Sequence, residues 1–404
     1  VKLRTSLRLA VVASLVLGGA AVVAAPAQAS PHTGEHGKRV CATAAPGSAS
    51  CLAELLVDAQ DAPVDPFRAD GGAGAAASVS GKTPADIQSA YGLSGLSAQG
   101  RTVAIVDAYG YPNAERDLAA YRSTFHLPAC TVASGCLTIV DQNGGSRLPA
   151  FNLGWADEQA LDLDAVSAAC PDCRILLVQA SSSSLSDLGT AVNTAARLGA
   201  TAISNSYGSS GDLADSTYGG YYNHPGIAVT ASTGDNGFTG PSYPASSRYV
   251  TAVGGTSLTT TANARGWSET AWSGAGSGCS TLNLAPTGQN PGATGCAKRA
   301  MADVSAVADP NTGLAVYAPT SRKNSSWAQY GGTSLSSPLI ASVFALAGAP
   351  SGYSNDVLYA AGSAAFNDVT SGSNGSCTVT VLCTAGAGWD GPTGLGTPKG
   401  TTGF

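Results

Sequence analysis

Charge is scarce in this chain of 404 residues: 20 basic and 26 acidic side chains make up 11% of it and leave a formal net charge of -6. No basic stripe runs through it, which argues against a nucleic-acid partner held through phosphates. Histidine is scarcer still. His32, His36, His126 and His224 are the four in the sequence, so imidazole chemistry has few candidates. Past the first 25 residues no segment reaches the roughly 18 to 20 uninterrupted apolar residues of a membrane span. No internal repeat is visible, which argues against a solenoid or propeller. A single C-x-x-C, Cys170 to Cys173, has no second copy to complete a zinc site, so a structural bridge is the better reading.

The N-terminus has the pattern of a secretory signal peptide. Lys2, Arg4 and Arg8 are basic, Leu9 to Ala25 is apolar, and Ala27-Gln28-Ala29 is a small-x-small site. Residues 1–29 are therefore expected to be cleaved off after Ala29, leaving a secreted, extracellular protein that acts as a monomer without membrane contact. Ten cysteines fit an oxidising compartment. Pairing of sequence neighbours is the simplest hypothesis: Cys41 with Cys51, Cys130 with Cys136, Cys170 with Cys173, Cys279 with Cys296, Cys377 with Cys383. Spacing does not fix that connectivity.

Residues 30–82 are rich in Ala, Gly, Pro and His, with no sustained periodicity except Cys51 to Asp58, and read as a short prosegment or flexible leader. Beyond Gly100 short β-branched runs alternate with amphipathic stretches. The runs are Thr102 to Asp107, Arg174 to Gln179, Thr201 to Ser204 and Ile227 to Ser232; the stretches are Asn113 to His126 and Leu185 to Leu198. This predicts an α/β domain over 83–404, a doubly wound, mainly parallel sheet with helices on both faces. Ligands of such folds gather at the carboxyl ends of the strands. Asp107, Tyr207 and Asp235 fall at or just after such ends.

Two segments carry chemistry. Gly331-Gly332-Thr333-Ser334-Leu335-Ser336-Ser337-Pro338 runs into an apolar stretch, a small-residue turn that presents Ser334 at the positive end of a helix, as a nucleophile is displayed. Trp155 to Asp164 supplies carboxylates instead of histidine. Residues four apart on a helix lie about 40° apart around the axis, so Glu158 and Asp162 share a face while Asp164 points elsewhere. Two carboxylates that close tend to share a proton, and such a pair can serve as a base at acidic pH.

From about Thr83 onward these motifs, in this order, resemble the sedolisins, or serine-carboxyl peptidases, a family with a subtilisin-like fold in which glutamate stands in for the catalytic histidine. The resemblance starts at Thr83-Pro-Ala-Asp-Ile-Gln-Ser-Ala-Tyr91 and puts Ser334, Glu158 and Asp162 on the catalytic positions. It puts Asp235, in Gly234-Asp235-Asn236-Gly237, on the oxyanion-hole position. It implies hydrolysis of peptide or protein substrates through an acyl-enzyme, by endopeptidase or tripeptidyl-peptidase cutting. In that chemistry Asp235 must be protonated to donate to the oxyanion, which ties activity to acid. Asp107 and Tyr207 become candidates for the network behind the catalytic groups; the family usually has tryptophan where Tyr207 stands. Asp303 resembles a structural position and reads as a buried acceptor. Near the end Asp368, Val369, Gly386, Gly388 and Asp390 resemble the family's calcium site: two carboxylates and three carbonyls, all hard oxygen donors suited to one structural Ca2+. The family's large folded prodomain has no counterpart in residues 30–82.

Two other functions fit the same fold. A subtilisin-type peptidase would pair Ser334 with a histidine and Asp107, but His126 and His224 lack the His-Gly-Thr-His context of such enzymes. A secreted binding protein that has lost activity would have no need to keep all four catalytic positions filled.

Overall fold

Side-chain alternation along the central strands builds two cores. In strand β4, Thr102–Ala108, Val103 and Ile105 enter one hydrophobic cluster, while Ala104, Val106 and Ala108 enter another on the opposite face. A sheet covered on both faces needs apolar residues at every position, and this strand supplies them. The computed structural model describes residues 1–2, 34–67 and 80–404. Residues 34–404 belong to one compact unit, and 1–33 to another, of which only Val1 and Lys2 are described. The signal-peptide reading, with its cut after Ala29, otherwise lies outside the described residues.

Three strands precede the main domain: β1, His36–Arg39, β2, Ser50–Cys51, and β3, Glu54–Val57. Helix α1, Pro84–Tyr91, follows, opened by a capping box between Thr83 and Asp86 that satisfies the free amides of its first turn. After β4 come α2, Ala114–Thr124; β5, Leu137–Asp141; α3, Leu153–Ala169; β6, Arg174–Ala180; and α4, Leu185–Arg197. Next are β7, Ala202–Asn205; β8, Tyr207–Gly208; β9, Ala228–Ser232; β10, Thr251–Thr260; and β11, Trp267–Ala271. The main sheet runs β11-β10-β9-β7-β4-β6-β5, and strand Val304–Val307 also pairs with β10. Pairings from β10 through β5 are parallel and only the β10–β11 edge is antiparallel. The expected α/β sheet is therefore present, and its first crossover strands fall where the β-branched runs placed them.

Helix α3 and the helix Thr333–Ala347 pack with one core, and α4 packs with the other. All five neighbour disulfides are formed: Cys41–Cys51, Cys130–Cys136, Cys170–Cys173, Cys279–Cys296 and Cys377–Cys383. Among the described residues no helix is long and apolar enough to cross a membrane.

The expectation of a flexible leader needs correction for residues 34–67. Strand β3 pairs antiparallel with β1 on one side and with strand Ser325–Gly331 on the other, and β2 pairs with β8. Tertiary pairing supplies the order: Leu52, Ala53, Leu56 and Val57 are buried, all within the Cys51 to Asp58 stretch that carried the one sustained period of this region.

Candidate active site

Helix α3 is the spine of the site. Asn152 caps it by accepting from the Trp155 amide at 3.2 Å, and every residue from Trp155 to Ala169 is buried. Four acids lie within that stretch. Unpartnered charge there would be costly, and each acid has a distinct partner. Asp157 accepts from the Tyr330 hydroxyl (3.1 Å) and Asp164 from the Tyr317 amide (3.0 Å), so Asp164 does point away from the pair. Asp162 accepts from the Ser206 hydroxyl at 2.9 Å. Glu158 Oε2 accepts from the Ser334 hydroxyl (2.8 Å) and from the amides of Leu52 (2.9 Å) and Ala53 (2.8 Å).

Ser334 is the second residue of the helix Thr333–Ala347, whose N-cap is Gly332 at φ 92°. Only glycine suits that position, since a Cβ there would also sit 1.9 Å from the Leu52 carbonyl oxygen. The turn leaves the first amides of the helix free of intrahelical partners, so its positive end faces the serine hydroxyl. That hydroxyl is also 3.1 Å from the Ser206 carbonyl oxygen.

Asp235 follows β9 and faces the same turn. Its Oδ1 accepts from the Thr333 amide and hydroxyl, both at 2.8 Å, while its buried Oδ2 meets no donor among the described residues. Burial, reinforced by the nearby Glu54 carboxylate, pushes its pKa up to about 8.

Behind Glu158 the acids crowd together. Among the described residues Glu158 Oε1 and Asp162 Oδ2 are buried without a donor, as two carboxylates facing one another must be until one takes a proton. Both Asp107 oxygens, at the end of β4, likewise meet no donor among the described residues. Burial first, and mutual repulsion second, raise the pKa of Glu158 and of Asp162, each with Asp107 as the leading neighbour. Burial raises Asp107 as well. Proton sharing among them is the expected state.

Ser334, Glu158, Asp162, Asp235 and Asp107 thus converge. Tyr207 differs: its hydroxyl donates to Asn205 at 2.8 Å, its ring lies beside Trp155, and its backbone pairs with Cys51. Asp303 is a buried acceptor, taking hydrogen bonds from Arg299, Tyr359 and the Ala252 amide. The histidines lie elsewhere among the described residues. His36 pairs with Asp61, His224 sits beside Asn193 and Tyr221, and the His126 amide bonds to Ser123 where α2 ends.

Sequence reasoning missed Ser206, which joins Asp162 to the Ser334 backbone carbonyl, and it missed the amides of Leu52 and Ala53. The polar pair Asn205-Ser206 at the end of a buried strand was the available signal for the first. Nothing local marked the second, because an amide's role depends on what the fold sets beside it.

Toward the C-terminus the Asp368 carboxylate accepts from the Gly388 amide (3.0 Å) and Asp390 from the Gly386 amide (3.1 Å). The two acids are close enough that Asp368 adds to the burial that raises Asp390 to about 7. The Cys377–Cys383 bridge closes the loop between them. Among the described residues no three His, Cys, Asp or Glu side chains cluster as ligands. A cation here would therefore use the two carboxylates and backbone carbonyls of the glycine turn, a donor set that fits Ca2+ and not a transition metal.

The subtilase family model matches residues 140–376, a span that contains Glu158, Asp162, Asp235 and Ser334. The chain belongs to the subtilase family. Within it the resemblance is to sedolisins. The chain is 31% identical to kumamolisin of Bacillus sp. (strain MN-32) over 358 residues, 79% of this chain and 62% of that protein. It is 35% identical to sedolisin of Pseudomonas sp. (strain 101) over 172 residues, 38% of this chain and 28% of that protein. The chain thus spans less than two thirds of the length of either relative. Among solved structures, Pseudomonas sedolisin, a serine-carboxyl proteinase complexed with two molecules of pseudo-iodotyrostatin, superposes with a TM-score of 0.65 at 26% identity, covering 79% of this chain and 96% of that one. The sedolisin-type subtilase fold accounts for the parallel sheet and for the serine at the head of a buried helix.

Proposed function

We propose that this chain is an acid-active serine-carboxyl peptidase that hydrolyses peptide bonds through Ser334, Glu158 and Asp162. The observation that carries the reading is the 2.8 Å bond from the Ser334 hydroxyl to Glu158 Oε2. Glu158 takes the serine proton as Oγ adds to the scissile carbonyl and returns it to the leaving amine. Asp162, held by Ser206, orients Glu158 and shares its proton. Burial first, and the neighbouring Asp107 second, raise the proton affinity of both. Asp235 holds its Oδ1 against Thr333, which leaves Oδ2 to carry a proton and donate to the oxyanion. Water then resolves the acyl-enzyme by the same route in reverse. A peptidase assay at acidic pH, with Ser334→Ala as control, tests this; equal turnover by the variant would refute it. The Ser-His reading has no observation in its favour, given where the described histidines lie.

Two further parts of the reading concern surroundings. The N-terminal pattern and five bridges support a secreted, extracellular protein. Asp368 and Asp390, with the carbonyls of Val369, Gly386 and Gly388, would hold one Ca2+ that stiffens the C-terminal turn and takes no part in the reaction.

A further inference from the structure

Two glutamines that the mechanism does not use stand behind the acids. Gln159 follows Glu158 on α3, Gln179 lies near the end of β6, and both are fully buried. Gln159 Nε2 has the carbonyl oxygens of Trp155 (3.0 Å), Ala108 (3.2 Å) and Tyr109 (3.3 Å) as acceptors. Carbonyls only accept, so they fix which end of that amide is nitrogen. Its Oε1 accepts from Gln179 Nε2 at 2.8 Å, which fixes the second amide in turn. The far end of this chain of amides is Gln179 Oε1, an acceptor that meets no donor among the described residues. Asp107 is the register partner of Gln179 on β4. Val103 and Ile105 on β4, like Ile175 and Leu177 on β6, enter the core that α3 covers, so strand alternation puts Asp107 and Gln179 on that same face as neighbours. Buried acceptors gathered without donors are costly, and a single proton on Asp107 turns one of them into a donor.

We propose that Gln179, held by Gln159, is a positioning residue for the acid cluster: it accepts a hydrogen bond from protonated Asp107 and keeps that acid neutral while Glu158 serves as the base. This inference rests on the peptidase reading above. Three acids compete for protons here, because Glu158 and Asp162 each have Asp107 as their leading charged neighbour, and burial by itself raises Asp107. A hydrogen bond made only by the neutral form raises proton affinity further. Neutral Asp107 exerts no repulsion on Glu158, which can then lose its own proton in acid and take one from Ser334. Ionised Asp107 would do the opposite and leave Glu158 protonated, with no room for the serine proton. The other titratable side chains that act with this acid are Asp162 on α3 and the Tyr207 phenol on β8; β6 and β7 bring no ionisable residue to their carboxyl ends. Gln179 thus decides which acid keeps the proton without touching substrate.

The test uses the full chain as wild type, Asp107→Asn, Gln179→Met and Gln179→Met/Asp107→Asn, read by kcat/KM of a peptide substrate against pH and by the infrared band of protonated carboxyl groups. Gln159→Met/Gln179→Met, which leaves no orphan amide, takes the place of Gln179→Met if that chain does not fold. Without the glutamine, Asp107 should ionise first, and the acid limb of kcat/KM should move up by about one pH unit, the scale of one hydrogen bond. Asp107→Asn in the same chain, neutral at every pH, should bring the limb back. A glutamine that only packs would lower turnover alike at every pH and leave the limb in place, which refutes the proposal, as does a limb that stays displaced in Gln179→Met/Asp107→Asn. At neutral pH the infrared difference between wild type and Asp107→Asn should contain a protonated carboxyl band, and the same difference in the Gln179→Met background should contain less of it. Absence of the band, or a band of equal size in both backgrounds, overturns the proposal whether or not the chain cuts peptides. A wild type that shows the band and has no turnover overturns the peptidase reading alone.

Discussion

The Ser334 hydroxyl lies 2.8 Å from Glu158 Oε2, although 176 positions separate the two in the chain. No histidine intervenes, so the proton that leaves the serine has one side-chain acceptor within bonding distance, and that acceptor is buried among other acids. Three consequences can be measured, and a fourth test concerns the C-terminal turn.

Replacing Glu158 by glutamine keeps the shape of the side chain and removes its basicity. Turnover of a peptide substrate at acidic pH should fall by at least about 10²-fold, the usual scale of a lost general base. Near-normal turnover in Glu158→Gln, together with an inactive His126→Ala or His224→Ala, would move the mechanism to serine and histidine.

Asp235 should behave as a donor. Asparagine can keep its oxygen on Thr333 and donate through its amide, whereas alanine can do neither. Asp235→Ala should lose about 10² to 10³ in turnover, the scale of one oxyanion-hole donor, and Asp235→Asn should lose less. Wild type should also shed this contribution as pH rises through about 8, a limb the asparagine variant lacks. Turnover against pH for all three proteins decides it; two variants that both match wild type would reduce Asp235 to a turn residue.

Stability should fall with rising pH. Burial raises Asp235 from 3.8 to about 8 and Asp157 to about 7, and it raises Glu158, Asp162 and Asp107 in the same direction. A folded state that holds protons the unfolded chain has released gives a negative slope of unfolding free energy with pH. The stabilisation from Asp157 and Asp235 is full below their unfolded values near 4 and is lost as pH rises through about 7 and about 8; the other three acids act in the same direction. Thermal unfolding of the Ser334→Ala chain, which avoids self-digestion, should show a higher midpoint at pH 4 than at pH 8. The opposite order would mean these acids are ionised in the fold.

Calcium should act on stability. Saturating Ca2+ should raise the unfolding midpoint through linkage, and Asp390→Ala should remove that rise while leaving the midpoint in chelator closer to wild type. Equal midpoints for wild type in chelator and in Ca2+ would dismiss the site.

Everything that depends on short-range pattern was legible in the residues alone. The alternation of Thr102 to Asp107 with Asn113 to His126 announced a covered parallel sheet, because side-chain period is local. The four-residue spacing of Glu158 and Asp162 set both on one helix face, and Gly331-Gly332 ahead of Ser334 marked a turn only small residues can make. Cysteine proximity anticipated the five bridges. Tertiary structure decided the rest. Antiparallel strands such as Ser325–Gly331 with β3 gain their order from partners hundreds of positions away, and a weak local pattern cannot report them. The same holds for the acids: their raised proton affinity comes from burial in a fully covered helix and from Asp107 on another strand, neither of which is written near Glu158. Residues 50–53 carry the clearest case. As sequence they are an ordinary small and apolar run, and only the fold lays their peptide bond between the serine, the glutamate and the aspartic acid, since backbone amides and carbonyls are the same in every residue and acquire meaning solely from position.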